Sequence, residues 1–107
     1  MNIKDERAKD ILMRTVADFF QKESSGGALI TVTRIGVSKD GKHATILLSV
    51  LPENRERSVI EFALRRLSDL RNYIKKNTRL ARIPFFGVEL DAGEKNRQRI
   101  EEISNEG

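Results

Sequence analysis

Seven cations, Arg65, Arg66, Arg71, Lys75, Lys76, Arg79 and Arg82, fall within residues 65–88, where Asp69 is the only acid. Guanidinium and ammonium groups at this density are suited to gripping the anionic oxygens of a polyanion, with arginine able to fork onto two at once. The rest of the chain is balanced or acidic. Residues 1–28 hold five basic and five acidic side chains, residues 29–64 five and four, and residues 89–107 three and six. Many helices expose Lys and Arg with no partner, so the total charge says little. Concentration into one segment with almost no interleaved acid favours a nucleic-acid backbone. On a helical wheel with Arg71 at the origin, Lys75 sits at about 40°, Arg79 at about 80° and Lys76 at about 140°, with Arg82 at about 20° should the helix last that far. Tyr73, Ile74 and Leu80 occupy the wheel from about 180° to about 300°, so the cationic stripe and the buried face are separate.

Other chemistry has little support. His43, the sole histidine, stands beside a turn, where an imidazole is usually an exposed turn residue, and there is no cysteine. Metal coordination by His and Cys is thereby excluded in its common forms, and thiolate nucleophiles with it. The serines lack a Gly-x-Ser-x-Gly surround, and the glycines form neither a dinucleotide fingerprint nor a phosphate loop. The expectation is a protein that is not an enzyme and has no cofactor, no metal and no small-molecule substrate. A small phosphate-handling enzyme with arginines as an anion clamp would need the glycine loop and the acid–base pair that are missing.

The length of 107 residues suits one compact core. No apolar run approaches the roughly 18 residues of a membrane span. The start, Met1 to Arg7, carries acids with no hydrophobic segment behind it, which argues against a signal peptide and for a cytoplasmic protein.

Positioning the cations requires a scaffold, and its elements are readable. Ala8, Ile11, Leu12, Val16, Phe19 and Phe20 predict an amphipathic helix over about residues 5–22, ended by Ser24-Ser25-Gly26-Gly27. Residues 29–37 are rich in β-branched side chains and predict a strand. Its apolar parity switches between Ile30/Val32 and Ile35/Val37, which a bulge near Arg34-Ile35-Gly36 would reconcile. Asp40-Gly41 signals a hairpin turn, and Ala44, Ile46, Leu48 and Val50 alternate along a return strand that Pro52 ends. Val59, Ile60, Ala63, Leu64 and Leu67 predict a helix over about 54–67. Ser68-Asp69 offers N-cap chemistry for another, carrying Leu70, Tyr73, Ile74 and Leu80 and closed by Pro84. Residues 85–91 read as a third strand, and Ala92 onward as a charged tail with a weak helical pair at Ile100 and Ile103.

The order helix, strand, strand, helix, helix, strand implies a two-layer α+β domain over residues 1–91, with three helices on one face of a three-stranded sheet, and a tail over 92–107. Phe19, Phe20 and Phe62 fall on apolar helix faces, and at least one of Phe85 and Phe86 should point inward. No strand shows the paired exposed aromatics on which an RNA-recognition sheet stacks bases, so recognition should rest on backbone, shape and charge more than on base stacking.

The run Ile30-Thr31-Val32-Thr33-Arg34-Ile35-Gly36-Val37-Ser38, with Asp40, Ala44 and Leu48-Ser49-Val50-Leu51, resembles the bacterial ribosome-binding factor A family. So do Ala63-Leu64 through Arg71, Arg79-Leu80, Arg82-Ile83-Pro84, Phe86 to Asp91 and Arg99-Ile100. The resemblance implies a KH-like domain of the second topological type, αββααβ. It also implies a non-enzymatic, monomeric assembly factor that binds the immature small (30S) ribosomal subunit and its 16S rRNA, assists maturation of the rRNA 5′ end and supports growth in the cold. The Gly-x-x-Gly loop of ordinary KH domains is absent. Where the family has an Ala-containing kink, this chain has Leu67-Ser68-Asp69 and reads one residue shorter. The alternative from another class is a protein-interaction module that uses the exposed edge of the sheet without touching RNA.

Overall fold

The computed structural model describes residues 6–23 and 27–93. The helical pair at Ile100 and Ile103 and nearly all of the tail lie outside the described residues, as does Ser24-Ser25-Gly26. The elements run α1 (Glu6–Glu23), β1 (Leu29–Val37), β2 (His43–Leu51), a 3-10 turn (Glu53–Arg55), α2 (Glu56–Arg65), α3 (Leu67–Asn77) and β3 (Phe85–Leu90). This is the αββααβ order of a KH-like α+β domain, with the helices on one face of the sheet.

The sheet order is β1-β2-β3, antiparallel between β1 and β2 and parallel between β2 and β3. Parallel neighbours need a crossover, which α2 and α3 supply. At the hairpin, Gly41 takes φ 73°, a conformation glycine adopts freely. The Asp40 carboxylate accepts from Ser38 Oγ at 2.7 Å and from the Lys42 amide at 2.9 Å.

A bulge does repair the parity of β1, slightly earlier than the sequence suggested. Val32 pairs with Leu48 and Arg34 with Leu47, leaving Thr33 as the extra residue. Ile35 then faces Ile46 and Val37 faces Ala44, so Ile30, Val32, Ile35 and Val37 all turn toward the helices. They meet Ala44, Ile46, Leu48 and Val50 of β2 and Phe86, Val88 and Leu90 of β3.

Onto this face pack Leu12, Val16, Phe19 and Phe20 of α1, Val59 and Ala63 of α2, and Leu70 and Ile74 of α3, all buried. Two helical residues depart from expectation. Phe62 is only partly buried, and Leu64 is half exposed, because α2 turns those positions toward its rim. The break between α2 and α3 also falls earlier than Ser68-Asp69. Arg66 alone leaves helical geometry (φ −100°, ψ 4°), and no side chain caps the new helix. Packing fixes the break: Ala63, with no exposure, admits close approach, and Leu70 plunges into the core one turn later.

Candidate nucleic-acid interface

The cationic segment does not form one helical stripe. Helix α3 ends at Asn77, seven residues before the proline expected to close it. Thr78 is extended, and both its amide and its hydroxyl donate to the Ile74 carbonyl, at 3.0 and 2.9 Å. The Asn77 side-chain amide donates to the Tyr73 carbonyl at 2.8 Å. Carbonyls that the next turn would have used are therefore taken locally. Arg79, Leu80 and Arg82 lie in the loop that follows, and the wheel positions given to them do not apply.

The loop is nonetheless pinned. Leu80 and Ile83 pack against the core and Pro84 is fully buried. Arg79, just before Leu80, and Arg82, just before Ile83, are exposed, as are Lys75 and Lys76 in the last turn of α3. Among the described residues no carboxylate pairs with any of these four. Lys75 and Lys76 also suit the negative end of the helix dipole, an interaction of about 0.3–1 kcal/mol that leaves their outward charge intact. The result is a cationic surface wrapping the end of α3 and the following loop.

The other three cations are placed differently. Arg65 ends α2 and is exposed. Arg66, at the helix junction, lies 3.0 Å from Asp69, which ties down the segment's one acid. Arg71 is turned inward: its Nη1 donates to the carbonyls of Ile83 at 3.1 Å and Pro84 at 2.6 Å, and its guanidinium carbon stands 5.0 Å from the Phe85 ring centroid. Arg71 thus binds the loop to the helix. Periodicity had no means of showing this, because its partners are backbone oxygens twelve and thirteen residues away.

Of the two phenylalanines that open β3, one points inward, as expected, and the other does not. Strand alternation puts Phe86 into the core and leaves Phe85 65% exposed on the opposite face, where His43 is its register partner. The parallel pairing of β2 with β3 creates this neighbourhood, and alternation along either strand alone gives only half of it.

A KH-like α+β domain without a Gly-x-x-Gly loop, carrying at the end of α3 and on the following loop a cationic surface that no carboxylate pairs with among the described residues, is the class these features define. The chain belongs to the ribosome-binding factor A family, whose model matches residues 4–104. Ribosome-binding factor A of Fervidobacterium nodosum is 31% identical over 77 residues, 71% of this chain and 62% of that protein. The protein of the same name from Stutzerimonas stutzeri is 30% identical over 95 residues, 83% of this chain and 74% of that one. The crystal structure of ribosome-binding factor A from Thermus thermophilus matches with a TM-score of 0.68 at 21% identity, over 78% of this chain and 91% of that chain, a likeness of fold.

Proposed function

We propose that this chain binds the immature small (30S) ribosomal subunit through its 16S rRNA and assists maturation of the rRNA 5′ end, acting as a monomer in the cytoplasm without catalysing a reaction. The observation that carries this reading is the exposed cationic surface of Lys75, Lys76, Arg79 and Arg82, with no carboxylate partner among the described residues, on a chain of the ribosome-binding factor A family. Arg65, exposed at the end of α2, and Arg66, at the junction beside Asp69, add cations at the other end of α3, while Arg71 holds the loop. Fixed cations on a rigid frame engage phosphates with little ordering cost, which favours docking on a folded RNA over wrapping a flexible one.

Sedimentation of cell extract through a sucrose gradient tests the reading. Co-migration with free small subunits and absence from translating ribosomes support it, and a protein that stays at the top of the gradient contradicts it. The protein-docking alternative draws on the outer edge of β1, which pairs with no strand among the described residues. Association that survives nuclease and moderate salt would favour that alternative.

A further inference from the structure

The open face of the sheet offers a second kind of contact. We propose that Phe85 and His43 form a stacking seat for one unpaired nucleobase of single-stranded RNA, a subsite that rests on the RNA-binding reading above and adds base contact to it. The two exposed rings lie across neighbouring strands, His43 on β2 and Phe85 on β3, and not along one.

The seat is built. The two ring centroids are 6.1 Å apart with planes tilted by 39°, and both side chains are exposed. The Phe85 amide donates to the Lys42 carbonyl at 2.8 Å, which fixes the start of β3 beside the hairpin. Arg71, held by its two carbonyls, keeps its charge at the Phe85 ring. Beyond the rings, the next row across the same face is Gly36, Thr45 and Gly87. A Cβ built on either glycine would meet nothing within 4 Å. A base laid on Phe85 therefore finds a floor of bare backbone beside it, with the Thr45 hydroxyl between the glycines.

Charge selects the occupant. The Arg71 guanidinium carbon stands 5.0 Å from the Phe85 ring centroid, and Lys42 and Arg82, both exposed, are one residue before His43 and three before Phe85 in sequence. Asp40, the acid of the hairpin, has its carboxylate engaged by Ser38 and the Lys42 amide. Glu89, the acid on this face of β3, is four residues along the strand, about 13 Å away at the rise of an extended chain. A flat aromatic platform with cations around it suits a base joined to phosphates, since every base has a π face and its backbone needs positive neighbours. The loop carrying Arg79 and Arg82 leads directly into Phe85, so phosphates on that loop would deliver their base to the ring.

The test uses the full chain, a short fluorescein-labelled oligoadenylate and a blunt RNA duplex. The chain has no tryptophan, so Phe85→Trp keeps an aromatic platform and adds a single reporter. Its emission should be quenched by oligoadenylate and unchanged by duplex. Phe85→Leu should weaken oligoadenylate binding by about 5- to 100-fold at every salt concentration, with the salt slope and duplex binding unchanged. His43→Ala, at an exposed position, should weaken it in the same direction. Parental affinity in folded Phe85→Leu, alongside losses in Lys75→Glu and Lys76→Glu, would overturn the seat and leave the phosphate surface standing. Parental protein that binds neither RNA would overturn both. Loss of subunit binding in Phe85→Leu with oligoadenylate binding intact would overturn the seat in favour of a protein contact.

Discussion

Arg71 and Pro84 are joined by a 2.6 Å hydrogen bond from Nη1 to the proline carbonyl, thirteen residues away. The same nitrogen reaches the Ile83 carbonyl, and the guanidinium rests by the Phe85 ring. One half-buried cation therefore couples the cationic loop, the first residue of β3 and helix α3. In a segment where Arg65, Arg79 and Arg82 are exposed, this one is a structural fastening.

The consequence is measurable. Arg71→Ala should lower stability by about 1–3 kcal/mol, the range for hydrogen bonds made by a charged donor. Arg71→Lys should recover only part of it, since an ammonium on a shorter stem that reached the two carbonyls would lack the planar group that lies against the Phe85 ring. Urea denaturation followed by circular dichroism reads both, as a drop in midpoint with an unchanged slope. A parental midpoint in Arg71→Ala would remove the fastening from the account.

Thr33 tests the bulge. Its hydroxyl donates to Asp91 Oδ2 at 2.6 Å and lies 3.2 Å from the Leu47 carbonyl oxygen, linking β1 across β2 to the end of β3. Thr33→Val removes that bond and should cost about 1 kcal/mol. Deleting Thr33 removes the extra residue and leaves Val32, Arg34, Ile35, Gly36 and Val37 in regular alternation, so each keeps its partner on β2 and Ile35 and Val37 still face the helices. The deletion should therefore fold and cost about as much as Thr33→Val in thermal melts. A deletion mutant that does not fold, or that loses more than about 3 kcal/mol, would contradict Thr33 as the inserted residue.

How much of this was legible follows from the residues themselves. The alternation Ala44, Ile46, Leu48, Val50 gave β2 its face directly, and the switch from Ile30/Val32 to Ile35/Val37 demanded an inserted residue before any coordinates. Both signals are local and repeat every second position. The end of α3 was hidden because Leu80 falls on the apolar side of a helical wheel even though the chain there is a loop. Thr78 stops the helix with its own hydroxyl and amide, a choice that periodicity does not encode. Arg71 read as surface because it lies one turn from Lys75, and only tertiary structure brings the Ile83 and Pro84 carbonyls to it. The pairing of His43 with Phe85 needed the parallel register of β2 and β3, which depends on the whole crossover.

The hairpin gives a pH dependence with a defined sign. The hydroxyl of Ser38, then the Lys42 amide, hold the Asp40 carboxyl below its ordinary value of 3.8. A depressed folded-state value means that the contribution is fully present above the ordinary value and is lost as pH falls through the depressed one. Asp40→Asn cannot ionise and lacks this dependence. Parental protein should therefore be the more stable at neutral pH, with the gap narrowing as pH drops below about 4. Parallel melting curves for the two proteins across acid pH check it, and a gap that widens toward acid would reverse the assignment.

The central claim concerns the four outward cations, and the salt dependence of binding to purified small ribosomal subunits reads it most directly. Changing Lys75, Lys76, Arg79 and Arg82 together to glutamate should leave the protein folded, with a melting curve lowered only by the reversed charge at the negative end of α3, since all four are exposed and none pairs with a carboxylate among the described residues. Affinity should fall, and the slope of log affinity against log salt should shrink by roughly 3, the counterion release of four lost phosphate contacts. A folded quadruple variant that binds small subunits with the parental affinity and the parental slope would contradict the account.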